Sequence, residues 1–105
     1  MVSVEEASAW ALGLPGTVQS PHFDKISFRI KKKIFATLDA KTNRLVVKLS
    51  VVDQSVFCGY DLAVIHPATG AWGKQGWTVI ELPKIRKTIC LDAIKTSYQT
   101  VSAKK

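Results

Sequence analysis

Residues 26–38 read ISFRIKKKIFATL, and the architecture of the chain follows from this stretch. Its first part alternates apolar and polar residues, which is typical of a β-strand with one buried face. A tight basic turn is predicted near Lys32, and residues 34–38 repeat the apolar pattern of a second strand. The buried face of the first strand is predicted to carry Ile26, Phe28 and Ile30.

A third strand is predicted at residues 45–49, after a turn at residues 40–43. Alternation points Leu45, Val47 and Leu49 inward. An antiparallel sheet can keep its opposite face in water, so this meander needs no second layer on that side. The opposite face is expected to carry Ser27, Arg29, Lys31, Lys33, Phe35, Thr37, Arg44, Val46 and Lys48.

Helices and two further strands complete the predicted order. Ser3 and Glu6 form a capping box, which marks the start of a first helix that runs to Leu14 and stops before Pro15-Gly16. The remaining elements are a helix from Ser50 to about Cys58, an edge strand at 62–66, a glycine-rich loop at 68–76, a strand at 77–82 and a helix at 87–102. The fold class is therefore predicted to be α+β, with the order α-β-β-β-α-β-β-α, two layers and helices on one face of an antiparallel sheet.

Length and charge restrict the function classes. A chain of 105 residues has room for one core, so residues 1–105 are predicted to form a single domain. Its net charge is +7, but residues 1–24 contain three acids and no base. Residues 25–105 therefore hold all fifteen bases against five acids. Such a surplus attracts polyanions such as nucleic acids.

The two cysteines, Cys58 and Cys90, are too few for a disulfide-stapled secreted domain. We expect reduced thiols that serve as small core residues in a cytosolic protein. Residues 1–10 carry acids instead of a basic leader, and no long apolar run follows. Neither a signal peptide nor a membrane span is expected.

Three clusters could contact phosphates. Arg29 and the lysines around the predicted turn crowd one hairpin, with Arg44 and Lys48 expected beside them, although lysines also protect sheet edges from aggregation. In the glycine-rich loop, Trp72 could stack on a base while Lys74 holds a phosphate, and Trp77 is expected to pack on the core. The third cluster, at the start of the last helix, is either an anion site or a solvated turn.

Several motifs give the chain a family likeness. They are Leu14-Pro15-Gly16, Pro21-His22-Phe23, Ser27-Phe28-Arg29-Ile30, residues 33–38 (KIFATL) and residues 72–78 (WGKQGWT). Together these motifs resemble the MmcQ/YjbR-like proteins over nearly the whole chain. The resemblance implies a two-layer fold with an antiparallel sheet and a DNA-binding role through a double-wing motif. The chain departs from the family pattern between Asp53 and His66, where Phe57-Cys58-Gly59-Tyr60 stands.

The sequence thus predicts a nucleic-acid-binding protein, with double-stranded DNA as the foremost partner, that is not an enzyme and needs no cofactor or metal. His22 and His66 lack partners at relay spacing, and the cysteines and histidines lack paired zinc spacing. The alternative is a protein-binding or chaperone-like module, including a homodimer, with Phe35, Val46, Phe57 and Tyr60 as its exposed apolar surface. The predicted nucleic-acid-binding residues are Arg29, Lys31, Lys32, Lys33, Arg44, Lys48, Trp72, Lys74, Lys84, Arg86 and Lys87.

Overall fold

The computed structural model describes residues 2–103. Its helices are α1 (Val4–Leu12), α2 (Val51–Cys58), α3 (Ala71–Lys74) and α4 (Lys87–Ser102). Its strands are β1 (Val18–His22), β2 (Lys25–Ile30), β3 (Lys33–Asp39), β4 (Arg44–Lys48), β5 (Ile65–Pro67) and β6 (Trp77–Glu81). All strands join one antiparallel sheet in the order β1-β2-β3-β4-β6-β5. The predicted α+β class and element order are confirmed, and β1 and α3 are additional.

One face of the sheet is buried beneath α4, which packs on β2, β3 and β4, while α1 packs on α4. Fully buried residues at this interface include Phe28, Leu38, Leu45 and Ile94. The predicted capping box starts α1: the Glu6 amide donates to Ser3 Oγ (3.0 Å), and the Ser3 amide donates to Glu6 Oε1 (3.2 Å). The apolar periodicities of strands and helices therefore converge on one core.

A β-bulge between β2 and β3 corrects the predicted position of Phe35. The register steps from the pair Phe28–Ala36 to the pair Arg29–Ile34, so Phe35 has no partner on β2. A bulge places two consecutive residues opposite one and interrupts strict alternation. Phe35 is consequently fully buried, with its ring edge-on to Tyr98 of α4 at a centroid distance of 5.6 Å. The prediction that Phe35 lies on the exposed face was wrong, and Ile34 faces that side instead.

The two strands at the sheet edges also differ from the predictions. β1 was missed because its sequence, VQSPH, is mostly polar and contains Pro21. It pairs only with β2, and an edge strand tolerates proline. β5 begins later than predicted because residues 61–64 form a turn, in which the Asp61 carboxylate accepts from the Ala63 amide at 2.9 Å.

The turn between β2 and β3 consists of only two residues, Lys31 and Lys32, since Ile30 pairs with Lys33. Both lysines have positive φ, 53° and 69°. This is the pattern of a type I′ turn, whose twist matches that of the flanking strands and which favours Asn-Gly. Two lysines in the left-handed region therefore strain the backbone at the tip of this hairpin.

We predict that Lys32→Gly raises the free energy of unfolding by about 0.5 to 1 kcal/mol, because glycine adopts positive φ without a Cβ clash and only part of the gain is offset in the unfolded chain. Urea denaturation measures the change. Lys33→Gly, one residue further in β3, is the matched control and should lower stability. An unchanged or lower stability for Lys32→Gly contradicts the strained turn.

Candidate functional site

The sheet face opposite α4, here called the outer face, forms a groove of about 520 Å³. Strand pairing aligns one row of residues across its centre: Thr37 with Val46, Val46 with Val79, and Val79 with His66. Short hydroxyl and valine side chains make a shallow floor in the middle of this row. A floor of this kind accepts flat apolar groups between taller side chains on either side.

A charged row forms one wall of the groove. The register aligns Asp39, Arg44 and Glu81. Arg44 Nε lies 3.2 and 3.1 Å from the two Glu81 carboxylate oxygens, and His66 Nε2 donates to Glu81 Oε2 at 3.0 Å. Burial acts to raise the pKa of Glu81, but the hydrogen bonds from His66 and Arg44 outweigh it, so the pKa lies below its ordinary value. Glu81 therefore holds Arg44 and His66 in place at the groove.

The opposite wall contains Trp77, which pairs with Lys48 on β4. Lys48 Nζ lies 5.4 Å from the centroid of the Trp77 ring and donates to the Gln75 carbonyl at 2.5 Å. A cation over an indole ring is an attractive arrangement. The prediction that Trp77 packs on the core was wrong, because alternation in β6 puts Thr78 and Ile80 on the core face and Trp77 on the outer face.

Trp72 stands at the rim of the groove, 64% exposed, on the short helix α3. Two glycines hold this segment close to the sheet. A Cβ on Gly73 would lie 2.0 Å from the Ala68 carbonyl oxygen, and one on Gly76, whose φ is +102°, would lie 1.8 Å from that of Leu49. The buried Gln54 amide donates to the Gly73 carbonyl at 2.9 Å. The rim position of Trp72 is therefore fixed by close backbone packing. Lys74 is exposed at the end of the same helix.

Lys31, Lys32 and Lys33, here called the lysine tip, are exposed at the β2–β3 turn. Lys33 pairs with the core residue Ile30, so the bulge turns it away from the outer face, and the prediction that it lies there was wrong. Lys31 Nζ is 3.5 Å from the Ser102 carbonyl at the end of α4, where a cation interacts favourably with the helix dipole. Arg29 lies behind the tip, and its Nε donates to Ser27 Oγ at 3.3 Å. The contact with the end of α4 gives Lys31 a structural role. No comparable contact among the described residues gives one to Lys32 or Lys33.

Lys84, Arg86 and Lys87, here called the helix-start cluster, lie apart from the other predicted residues. Lys87 pairs with Glu6 of α1 at 2.9 Å, on the helical side of the sheet. The 16 residues of α4 separate this cluster from the lysine tip by about 24 Å. The predicted residues thus form three groups: one along the outer face and its rim, the lysine tip at the β2–β3 turn, and one at the start of α4.

Several groove residues were not among the predicted site residues, His22 and Lys25 among them. His22 and Lys25 pair across the β1–β2 turn and line the groove. Their place could not be predicted because β1 itself was missed. The sequence signal for His22 is the family-like motif Pro21-His22-Phe23.

Reactive groups are scarce in the described part of the chain. Cys58 and Cys90 are free and buried, as predicted, and burial raises the pKa of the Cys90 thiol to about 12. Within residues 2–103 no three His, Cys, Asp or Glu side chains cluster in a way that would hold a metal ion. No helix in the same range is long and apolar enough to cross a membrane.

Comparison with known proteins gives a family and a fold. The family model described as YjbR matches residues 12–100. The structure is similar to the crystal structure of the Deinococcus radiodurans protein DR2400, which has a DUF419 domain, with a TM-score of 0.86 and 18% sequence identity. The match covers 99% of this chain and 81% of that one. At this identity the likeness shows the fold alone. Curated proteins give no match.

The Glu81 network predicts a pH dependence of stability. Because the pKa of Glu81 is lowered by folding, its ionised form stabilises the protein above the unfolded-state value near 4.5, and this contribution is lost as the pH falls through the lower folded-state value. When the pH is lowered from about 5 to 3, we expect the free energy of unfolding to fall less for Glu81→Gln than for the wild type. Thermal unfolding across this range measures it.

Asp92→Asn, which removes one exposed carboxylate on α4, is the matched control. It should follow the wild-type pH profile. Parallel profiles for the wild type and Glu81→Gln would show that the hydrogen bonds from Arg44 and His66 contribute nothing to folding.

Proposed function

The chain belongs to the YjbR family, and from this premise we propose that it binds nucleic acid through the outer face of its sheet. The observation that carries the proposal is the composition of one open groove. It combines Arg44 and Lys25 with the accessible ring of Trp72. A nucleic-acid site combines two parts: cations that contact phosphates and an aromatic surface on which bases stack.

We assign the phosphate contacts to the lysine tip, to Arg29, Arg44 and Lys48, and to Lys74 at the rim. Arg29 on β2 and Arg44 and Lys48 on β4 lie on either side of β3, so a phosphate backbone that crosses the sheet passes from one strand to the other. Arg44 already pairs with Glu81, which limits its contribution. Binding is therefore mostly electrostatic, weakly dependent on sequence and strongly dependent on salt.

A binding role fits this site better than catalysis. Nucleophilic catalysis needs an activated side chain beside a base, and both thiols are buried away from the groove. His66 is engaged with Glu81, and the hydroxyl groups that line the groove are those of threonines. We propose a non-enzymatic protein that requires no cofactor or metal.

A protein partner is the second candidate, favoured by exposed apolar residues on α2 and the loop after it. Val52 and Val56, one helical turn apart, are 73% and 70% exposed. Val51, Tyr60 and Leu62 extend this surface. Of the residues predicted for such a surface, Tyr60 belongs to it, Val46 lines the groove, Phe57 is partly buried and Phe35 lies in the core. This surface would bind a second copy or another protein and would hold it at high salt.

We predict salt-sensitive binding of a labelled mixed-sequence DNA duplex, measured by fluorescence anisotropy at several salt concentrations. Replacing Lys31, Lys32 and Lys33 by alanine should weaken binding and reduce the log–log salt slope by about 0.9 for each phosphate that the variant no longer neutralises. Replacing Arg29, Arg44 and Lys48 by alanine should do the same.

The matched control replaces Lys84, Arg86 and Lys87 by alanine. It removes the same charge from the helical side and should change affinity least of the three triple variants. Equal reductions in affinity for all three would indicate a general charge effect and contradict a site on the outer face. A wild type that binds neither this duplex nor one of its strands alone at low salt contradicts nucleic-acid binding altogether and leaves the apolar surface of α2 as the candidate.

A further inference from the structure

Phe23, at the turn between β1 and β2, is the most exposed large apolar residue that the structure describes. Its side chain is 94% exposed and its φ is 60°. His22 pairs with Lys25, so Phe23 and Asp24 form a two-residue turn in which only Phe23 has positive φ. This is the pattern of a type II′ turn, which favours glycine at that position. A bulky residue at positive φ is a backbone outlier.

Folding does not explain this residue. A phenylalanine so exposed gains almost nothing from burial, and its backbone is strained at the same time. Its one ring contact is edge-on with His22, at a centroid distance of 5.0 Å. Strained, exposed residues of this kind are found where a protein meets a ligand.

The position of Phe23 relates it to the groove. His22 and Lys25, on either side of the turn, both line the groove. The turn belongs to the β1 edge of the sheet, whereas Trp72 lies on α3, which packs against β6 and β5 at the other end of the strand order. Two exposed aromatic rings therefore flank the groove at opposite edges, with the valine and threonine floor between them.

We propose that Phe23 stacks on an unpaired base, and that the groove therefore takes single-stranded nucleic acid in preference to a duplex. This inference rests on the proposed function. A phenyl ring has no hydrogen-bonding group, so it recognises the face of a base and tolerates any sequence. In a duplex those faces are covered by neighbouring base pairs, whereas a single strand can present successive bases to Phe23 and Trp72.

The test compares labelled mixed-sequence DNA of about twelve nucleotides as a single strand and as a duplex, by anisotropy at one moderate salt concentration. We expect the wild type to bind the single strand more tightly. Phe23→Gly should weaken that binding roughly 5- to 100-fold without changing the salt slope, because a stacked ring carries no charge. Phe23→Tyr keeps the ring and should stay within about threefold of the wild type.

Val52→Ala is the matched control, since Val52 is also exposed but lies on α2. It should leave both affinities unchanged. Phe23→Gly should melt no lower than the wild type because glycine suits the turn, so weaker binding cannot be attributed to misfolding.

The outcomes separate this inference from the proposed function. Equal single-strand affinity for the wild type and Phe23→Gly overturns the stacking role, and tighter binding of the duplex overturns the single-strand preference. In both cases nucleic-acid binding stands. A wild type that binds neither probe overturns both.

Discussion

The packing of α4 against a single face of the sheet is the constraint on which the rest of the structure depends. Buried Ile94 and Val101 on the helix, and Leu38 and Leu45 on the sheet, remove that face from water. Outside the bulge, alternation then assigns every second strand residue to the opposite face, on which none of the long helices within residues 2–103 packs. The groove is the consequence: valine and threonine form its floor, while arginine, lysine and tryptophan rise on either side.

The bulge opposite Phe28 and Arg29 adapts the sheet to this helix. It turns Phe35 inward against Tyr98 and at the same time turns Ile34 outward into the groove. One extra residue thus fills the core and reshapes the candidate site. The bulge lies next to Arg29 and the lysine tip, as bulges often do near functional surfaces.

Local patterns in the sequence predicted most of the fold. The capping box of α1 and the alternation in residues 26–30 need no distant contact to be interpreted, and both predictions were confirmed. Phe35 was placed wrongly because a bulge is set by packing against α4, and β1 was missed because its polar sequence forms a strand only beside β2. At the site, alternation predicted that Arg29, Arg44 and Lys48 share a face. The helix-start cluster lies apart from these three residues because of tertiary packing, which the sequence does not show. The strain at Phe23 follows from the two-residue length of its turn, which the sequence does not show either.

The most direct test of binding through the outer face is an NMR titration of the ¹⁵N-labelled protein with an unlabelled mixed-sequence oligonucleotide. Binding through the outer face predicts shift changes that concentrate on the amides of Arg29 and Val46 and on the indole of Trp72, with little change at the amides of α2 and of the start of α4. Shift changes centred on Val52 and Val56, or on Lys84 and Lys87, would contradict it, because those residues lie outside the groove.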